Sequence, residues 1–446
     1  MKNMLLTVSS FRKNLSNSYF ESAYNKLISR NANELSQDER LYLLKTAIIL
    51  LNEADSSLER LGYRIVLSYS NVFNDYIPLY DVSISKGYIP ISKFIEINFN
   101  DSNKFENKFF NMILSSYKEN FLQDGIYLSE GQKDLINFSN LNEGDFVLIA
   151  PTSYGKSDII VSKVKNNRSK KVCVVVPSKS LLAQTRRRLL KGMSVNASNK
   201  IITHPDMYLG NETNFIAVLT QERLLRLIQK HPEFVLDLLL VDEAHNLLKG
   251  DSRAILLAQV LLILRKRNQA SVFNFFTPFM SSAQNLEAPY LSKKLDFKRS
   301  NESIKIEKYF SIDICAKSTL ELYDQFTNRF IFIKQHSGVS DPEIVNIYKS
   351  NKNIVYLNKP RDIENFAMNL SVNEIETENA ELLDLISAVA EYIHPEYNLI
   401  DCIRKGVVYH HGSMPDIIRL YVENAFTKQK HFEFIITNST LLEGVD

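Results

Sequence analysis

From Asp145 onward the chain sets short, β-branched apolar runs between amphipathic helical stretches. The runs are Phe146 to Ala150, Val172 to Val176, Phe215 to Leu219, Leu238 to Val241 and Ser271 to Phe276. Most of them are apolar at successive positions rather than at every second one, so both faces of each strand must be covered. Strands buried on both faces require helices on both sides, which predicts a parallel sheet in an α/β fold. A second series follows the polar stretch Lys293 to Ser303: Phe330 to Ile333, Ile354 to Leu357, Gly406 to Tyr409 and Phe434 to Ile436. Two tandem α/β domains are therefore expected, with a boundary near residues 290 to 305. Ahead of them, Leu41, Leu43, Leu44, Ala47, Ile48 and Leu51 recur at helical spacing without a strand rhythm. The expected division is a helical accessory domain over residues 1–125, an α/β domain over 126–300 and a second over 301–446, which fits about 150 residues per domain.

Composition narrows the chemistry less than the pattern does. Lys plus Arg number 53 and Asp plus Glu 51, a formal charge of +2, so any polyanion must be held by local placement of charge. Cys173, Cys315 and Cys402 are too few and too far apart for a disulfide framework or a four-cysteine zinc site, and a reducing cytoplasm is expected. The most apolar stretch, Ala254 to Leu264, is interrupted by Gln259 and flanked by Arg253 and Arg265. It falls short of the roughly 20 residues that cross a bilayer, so no membrane partner is expected.

Directly after the run ending at Ala150 comes Pro151-Thr152-Ser153-Tyr154-Gly155-Lys156-Ser157, which passes into the helical pattern Asp158-Ile159-Ile160-Val161. A strand, a tight loop and a helix start present backbone N–H groups and a positive dipole end to phosphates. In such a loop Lys156 reaches the β- and γ-phosphates and the Ser157 hydroxyl holds magnesium. The strict pattern fails at its first position, which is Ala150. Downstream, Leu239-Leu240-Val241 runs into Asp242-Glu243-Ala244-His245, two acids at the carboxyl edge of a sheet, where open α/β folds bind ligands. Asp242 is placed to hold Mg2+ through water, and Glu243 to orient and deprotonate an attacking water.

These residues resemble the superfamily 2 helicases of the DExH type, including the Ski-like and archaeal repair-helicase branch, over about residues 126 to 446. The resemblance implies two tandem RecA-like domains, ATP and Mg2+ as cofactors, and movement along or unwinding of nucleic acid. Gln132 resembles the glutamine that reads adenine, and Thr152, Ser153, Tyr154, Gly155, Lys156 and Ser157 the phosphate loop. The segment Pro177 to Gln184, and Thr220 with Arg223, are similar to motifs that grip a nucleic-acid backbone. Thr277-Pro278-Phe279 stands where the family couples hydrolysis to movement but keeps only the first hydroxyl. In the second α/β domain His411 and Gly412 follow the Ski-like pattern. Thr437 resembles a phosphate-holding threonine, and Gly444 with Asp446 the residues that meet the nucleotide.

The same resemblance predicts one further motif, a helix with paired arginines that reach the γ-phosphate, and the sequence as given stops before it. A truncated chain is the expectation. A missing arginine of that kind costs about 10³ to 10⁵ in rate. A second reading is thus a nucleic-acid-binding scaffold without helicase activity. A third, a signalling phosphate-loop switch, does not need the Thr220, His411 and Thr437 motifs. The expected partner is single-stranded or tailed DNA or RNA. Family analogy adds genome maintenance or phage defence, beside a nuclease.

Overall fold

The computed structural model describes residues 18–29, 32–99, 108–123, 125–152, 154–192, 201–278, 280, 286, 295–302, 304–313, 319–370, 380–438 and 441. The chain divides into two compact units, Met1–Lys163 with Val272–His336, and Val164–Ser271 with Ser337–Asp446.

The first unit opens with the predicted helices, among them Tyr19–Ile28, Gln37–Leu51, Ser56–Phe73, Ile77–Ser85 and Ile89–Asn98. Their starts are written locally. Ser36 and Glu39 form a reciprocal capping box, and Asp55 accepts the N–H of Ser57 at 2.8 Å. Gly62 lets two of these helices touch, because a Cβ there would stand 2.8 Å from the Ala47 carbonyl oxygen. A short antiparallel pair, β1 (Leu122–Gln123) and β2 (Ile126–Tyr127), precedes the helix Glu130–Leu141.

The main sheet is built from β3 (Phe146–Ile149), β4 (Lys171–Val176), β5 (Ile201–Ile202), β6 (Phe215–Thr220), β7 (Leu238–Val241), β8 (Val272–Thr277) and β9 (Asp296–Arg299). Its order is β5-β6-β4-β7-β8-β3-β9. The pairs β5–β6, β6–β4, β4–β7, β8–β3 and β3–β9 are all parallel. Every residue of β3, β6 and β7 is buried, as successive apolar positions require. β9 falls in the stretch the sequence marks as a polar boundary. It is an edge strand, and its residues Asp-Phe-Lys-Arg, all exposed but the half-buried Lys298, carry no apolar run.

Beyond β9, β10 (Tyr309–Asp313), β11 (Thr319–Asp324) and β12 (Arg329–Gln335) form an antiparallel sheet. The run Phe330 to Ile333 is thus a strand, as expected, but not one of a parallel sheet. Leu322 and Phe326 join one core with Leu27, Leu43, Leu61 and Ile65 of the N-terminal helices. Beneath that core, Arg64 Nη1 lies 2.9 Å from Asp324 Oδ1, with side chains 2% and 0% exposed. The Tyr24 hydroxyl donates to the same carboxylate at 3.2 Å, and the Thr327 N–H and hydroxyl donate to its other oxygen at 2.8 and 2.7 Å.

The second unit carries β4 to β7 and a smaller parallel sheet of β13 (Asn353–Tyr356), β14 (Val407–His410) and β15 (Phe434–Thr437) in the order β13-β15-β14. Helices Pro360–Asn369, Ala380–Tyr392, Leu399–Arg404 and Asp416–Lys428 pack its core through Ile363, Leu385, Ile403 and Val422. Among the described residues no helix is long and apolar enough to cross a membrane.

Candidate functional site

In the first unit the buried strand β3 delivers the chain to the loop at 151–155, and helix Lys156–Asn166 begins at the loop lysine. The Ala150 N–H donates to the Thr277 carbonyl at 3.1 Å, which ties the loop entrance to the end of β8. Gly155 has φ +90°, a conformation that side-chain-bearing residues rarely adopt, and its carbonyl accepts from Asp158 and Ile159 N–H at 3.0 and 3.1 Å. Lys156 is buried, and its ammonium donates to the Ala150 and Pro151 carbonyls at 2.9 and 2.8 Å. The amine is therefore held by carbonyl acceptors of its own loop. Thr152 is exposed and Ser157 half-buried on the first turn of the helix. Ser153 lies outside the described residues, as do Gly444 and Asp446.

Gln132 sits one turn into helix Glu130–Leu141. Its Oε1 accepts the Ser129 N–H at 2.9 Å and its Nε2 donates to the Tyr154 carbonyl at 3.3 Å. The side chain thus spans from a helix cap to the loop at 151–155. Glu302, which sequence reasoning passed over as one charge in a polar stretch, hydrogen-bonds the same neighbourhood through Ser129, Gly131 and Tyr154. Only its contacts reveal it.

In the second unit β7 is followed directly by Asp242, which is buried and whose N–H donates to the Val175 carbonyl of β4 at 2.9 Å. Asp242 Oδ1 accepts the Glu243 N–H at 3.0 Å. Glu243 takes φ +51°, a left-handed turn uncommon outside glycine, and the short helical turn Ala244–Leu248 follows. His245 Nδ1 is 3.3 Å from Glu243 Oε2.

The residues expected to grip nucleic acid divide into two groups. Of the first, Ser178, Lys179 and Arg223 line a cavity of about 480 Å³ within the second unit, together with Arg253, Arg419 and Glu423. Arg223 donates to the Thr203 carbonyl at 2.8 Å, and Gln184 lines an adjoining cavity with Arg187. Arg253 was not expected. It donates to the Pro177 carbonyl and, at 2.9 Å, to Glu222. Thr220 instead turns inward, where its buried hydroxyl caps helix Gln221–Lys230 by accepting the Arg223 N–H at 3.4 Å. His411 is buried against Glu364 at 3.0 Å, and Gly412 beside it is exposed. Thr437 is buried with its hydroxyl donating to the Asn438 carbonyl at 3.3 Å. His410 is buried 3.4 Å from Glu423; burial first, and then Arg419 and His411, push its imidazole down to about 4.

Residues 129–280 match the family model of the DEAD/DEAH box helicase. The chain is also similar to Anti-bacteriophage protein B of Escherichia coli (strain K12), 26% identical over 326 residues that cover 69% of this chain and 40% of that protein. It spans well under half the length of that curated relative. A crystal structure of the DUF1998 helicase MrfA bound to DNA matches with a TM-score of 0.48 and 14% identity, over 74% of this chain and 45% of that one. The loop that follows β3 and the Asp-Glu-Ala-His segment that follows β7 both fall within residues 129–280, the segment that matches the DEAD/DEAH box helicase model.

Proposed function

We propose that this chain forms the motor part of an ATP-dependent helicase or translocase that tracks along nucleic acid. The observation that carries the reading is Lys156 at the start of a helix after a fully buried parallel strand, together with Asp242 and Glu243 at the carboxyl end of another strand of that sheet. In this reading the domains 126–300 and 301–446 carry the two RecA-like sheets, with β10 to β12 of the second packing on the helices of the accessory residues 1–125 instead. Ser157 and Asp242 offer hard oxygen donors, which fits Mg2+, an ion that keeps several of its waters. When bound, Mg2+ neutralises charge on the phosphates. Lys156 exchanges its loop carbonyls for phosphate oxygens, and the Glu243 carboxylate takes the proton of the attacking water. Lys179, Arg223, Arg253 and Arg419 supply local positive charge for a sugar-phosphate backbone despite a net charge of only +2. The similarity to an anti-bacteriophage protein supports a role in phage defence, where a nuclease would be a natural partner.

ATP turnover by the chain, with and without single-stranded DNA or RNA, tests this. Strand-stimulated hydrolysis that disappears in Lys156→Ala is the expected result. Equal turnover in that variant, or no ATP binding by the parent chain, would overturn the reading.

A further inference from the structure

The carboxylate of Glu302 collects three donors from two separate parts of the first unit. The Gly131 N–H donates to Oε1 at 2.8 Å, and the Ser129 hydroxyl donates to Oε2 at 2.5 Å. The Tyr154 hydroxyl, next to the phosphate-loop glycine, donates to Oε2 as well. Ser129 Oγ also accepts the Gln132 N–H at 3.1 Å and lies 3.2 Å from the Tyr154 hydroxyl. The cluster is tightly built: a Cβ on Gly131 would stand 2.6 Å from both Glu302 Oε1 and the Tyr154 hydroxyl. Burial and the Glu302 acceptor raise the Tyr154 phenol above its ordinary range, so it remains a donor at physiological pH.

These contacts converge on the orientation of one amide. With Oε1 accepting from Ser129 N–H and Nε2 donating to the Tyr154 carbonyl, the two ends of Gln132 are told apart by backbone groups. One N–H and one lone pair are left over. That pair matches an adenine edge, which offers the N7 acceptor beside the N6 donor. It mismatches guanine, whose N7 and O6 both accept.

We propose that Glu302 and the Tyr154 hydroxyl are positioning residues for purine selection, which hold Ser129 and the Tyr154 carbonyl so that Gln132 admits ATP over GTP. The proposal rests on the triphosphate reading of the loop and adds two residues that act through Gln132 without touching the nucleotide.

Fluorescent ATP and GTP analogues titrated against the full chain separate the two claims. The parent chain should bind the ATP analogue at least about tenfold more tightly, the scale of one good hydrogen-bond mismatch. In Tyr154→Phe and Glu302→Gln, which keep the buried ring and the side-chain shape, that ratio should fall several-fold, with GTP affinity held or raised. A merely structural role lowers both affinities together, and that outcome, or an unchanged ratio in both variants, overturns the proposal. Gly131→Ala, which forces the cluster apart by another route, should reproduce the loss of selectivity. If the parent chain binds neither analogue, or Lys156→Ala binds both as tightly as the parent, the triphosphate reading fails and takes this proposal with it.

Discussion

Glu243 combines two properties that mutation can separate, a left-handed backbone and a carboxylate beside His245. The conformation costs roughly 1 to 2 kcal/mol for a residue with a side chain, and it turns the chain sharply just past the sheet edge. Glu243→Gln keeps the turn and the hydrogen-bonding capacity and removes the carboxylate proposed as the base. It should bind ATP within about twofold of the parent while turnover falls by roughly 10² to 10⁴, the range of general-base catalysis; nucleotide titration and a phosphate-release assay measure the two. His410 gives a second test at this scale. Its folded pKa of about 4 lies below an unfolded value near 6.5, so between those limits the unfolded chain takes up a proton that the folded chain refuses. Stability contributed by the neutral imidazole is present above about pH 6.5 and is lost as pH falls toward 4, by up to about 3 kcal/mol. His410→Gln should flatten the corresponding segment of a plot of thermal midpoint against pH.

The elements on which the site stands were readable where local chemistry and burial agree. β3 and β7 are apolar at every position, β6 at every position before Thr220, and all three are buried throughout; the loop motif follows β3 directly. Among the strands that escaped, two have signals that point elsewhere. β9 pairs with β3 at the sheet edge, where solvent accepts Asp296, Lys298 and Arg299 without penalty. β11 does carry a period-two pattern, Leu320 and Leu322 inward with Glu321 and Tyr323 outward. That pattern states that one face is buried but not that helices nearly 300 residues upstream bury it. At the site, Gln132 was marked by its motif, whereas Glu302 acts through distance in space alone. The Arg64–Asp324 pair that joins the upstream helices to β11 is dry on both sides, so removing one partner strands the other. Arg64→Met should cost about 3 to 5 kcal/mol in chemical denaturation, and the double variant Arg64→Met, Asp324→Leu should recover much of it.

For the molecule as a whole, a net charge of +2 supplies no long-range attraction, so the strand binding proposed above depends on where cations are gathered. If Lys179, Arg223, Arg253 and Arg419 each neutralise one phosphate, the logarithm of single-strand affinity should fall with the logarithm of salt at a slope of about −3. Replacing all four by alanine should flatten that slope, with sequence preference weak in both proteins. The core shared by the N-terminal helices and β11 also has a temporal side. A ribosome adds roughly 5 to 20 residues each second, so about 13 to 52 s separate the synthesis of Arg64 from that of Asp324. Through that interval Leu27, Leu43 and Ile65 have no β11 to close over them, while the strands of the parallel sheet are made and can pair. The nascent chain is therefore most vulnerable in its oldest part. It should lean on chaperones there, and a product that stops before residue 304 should aggregate although every strand of the seven-stranded sheet is already present.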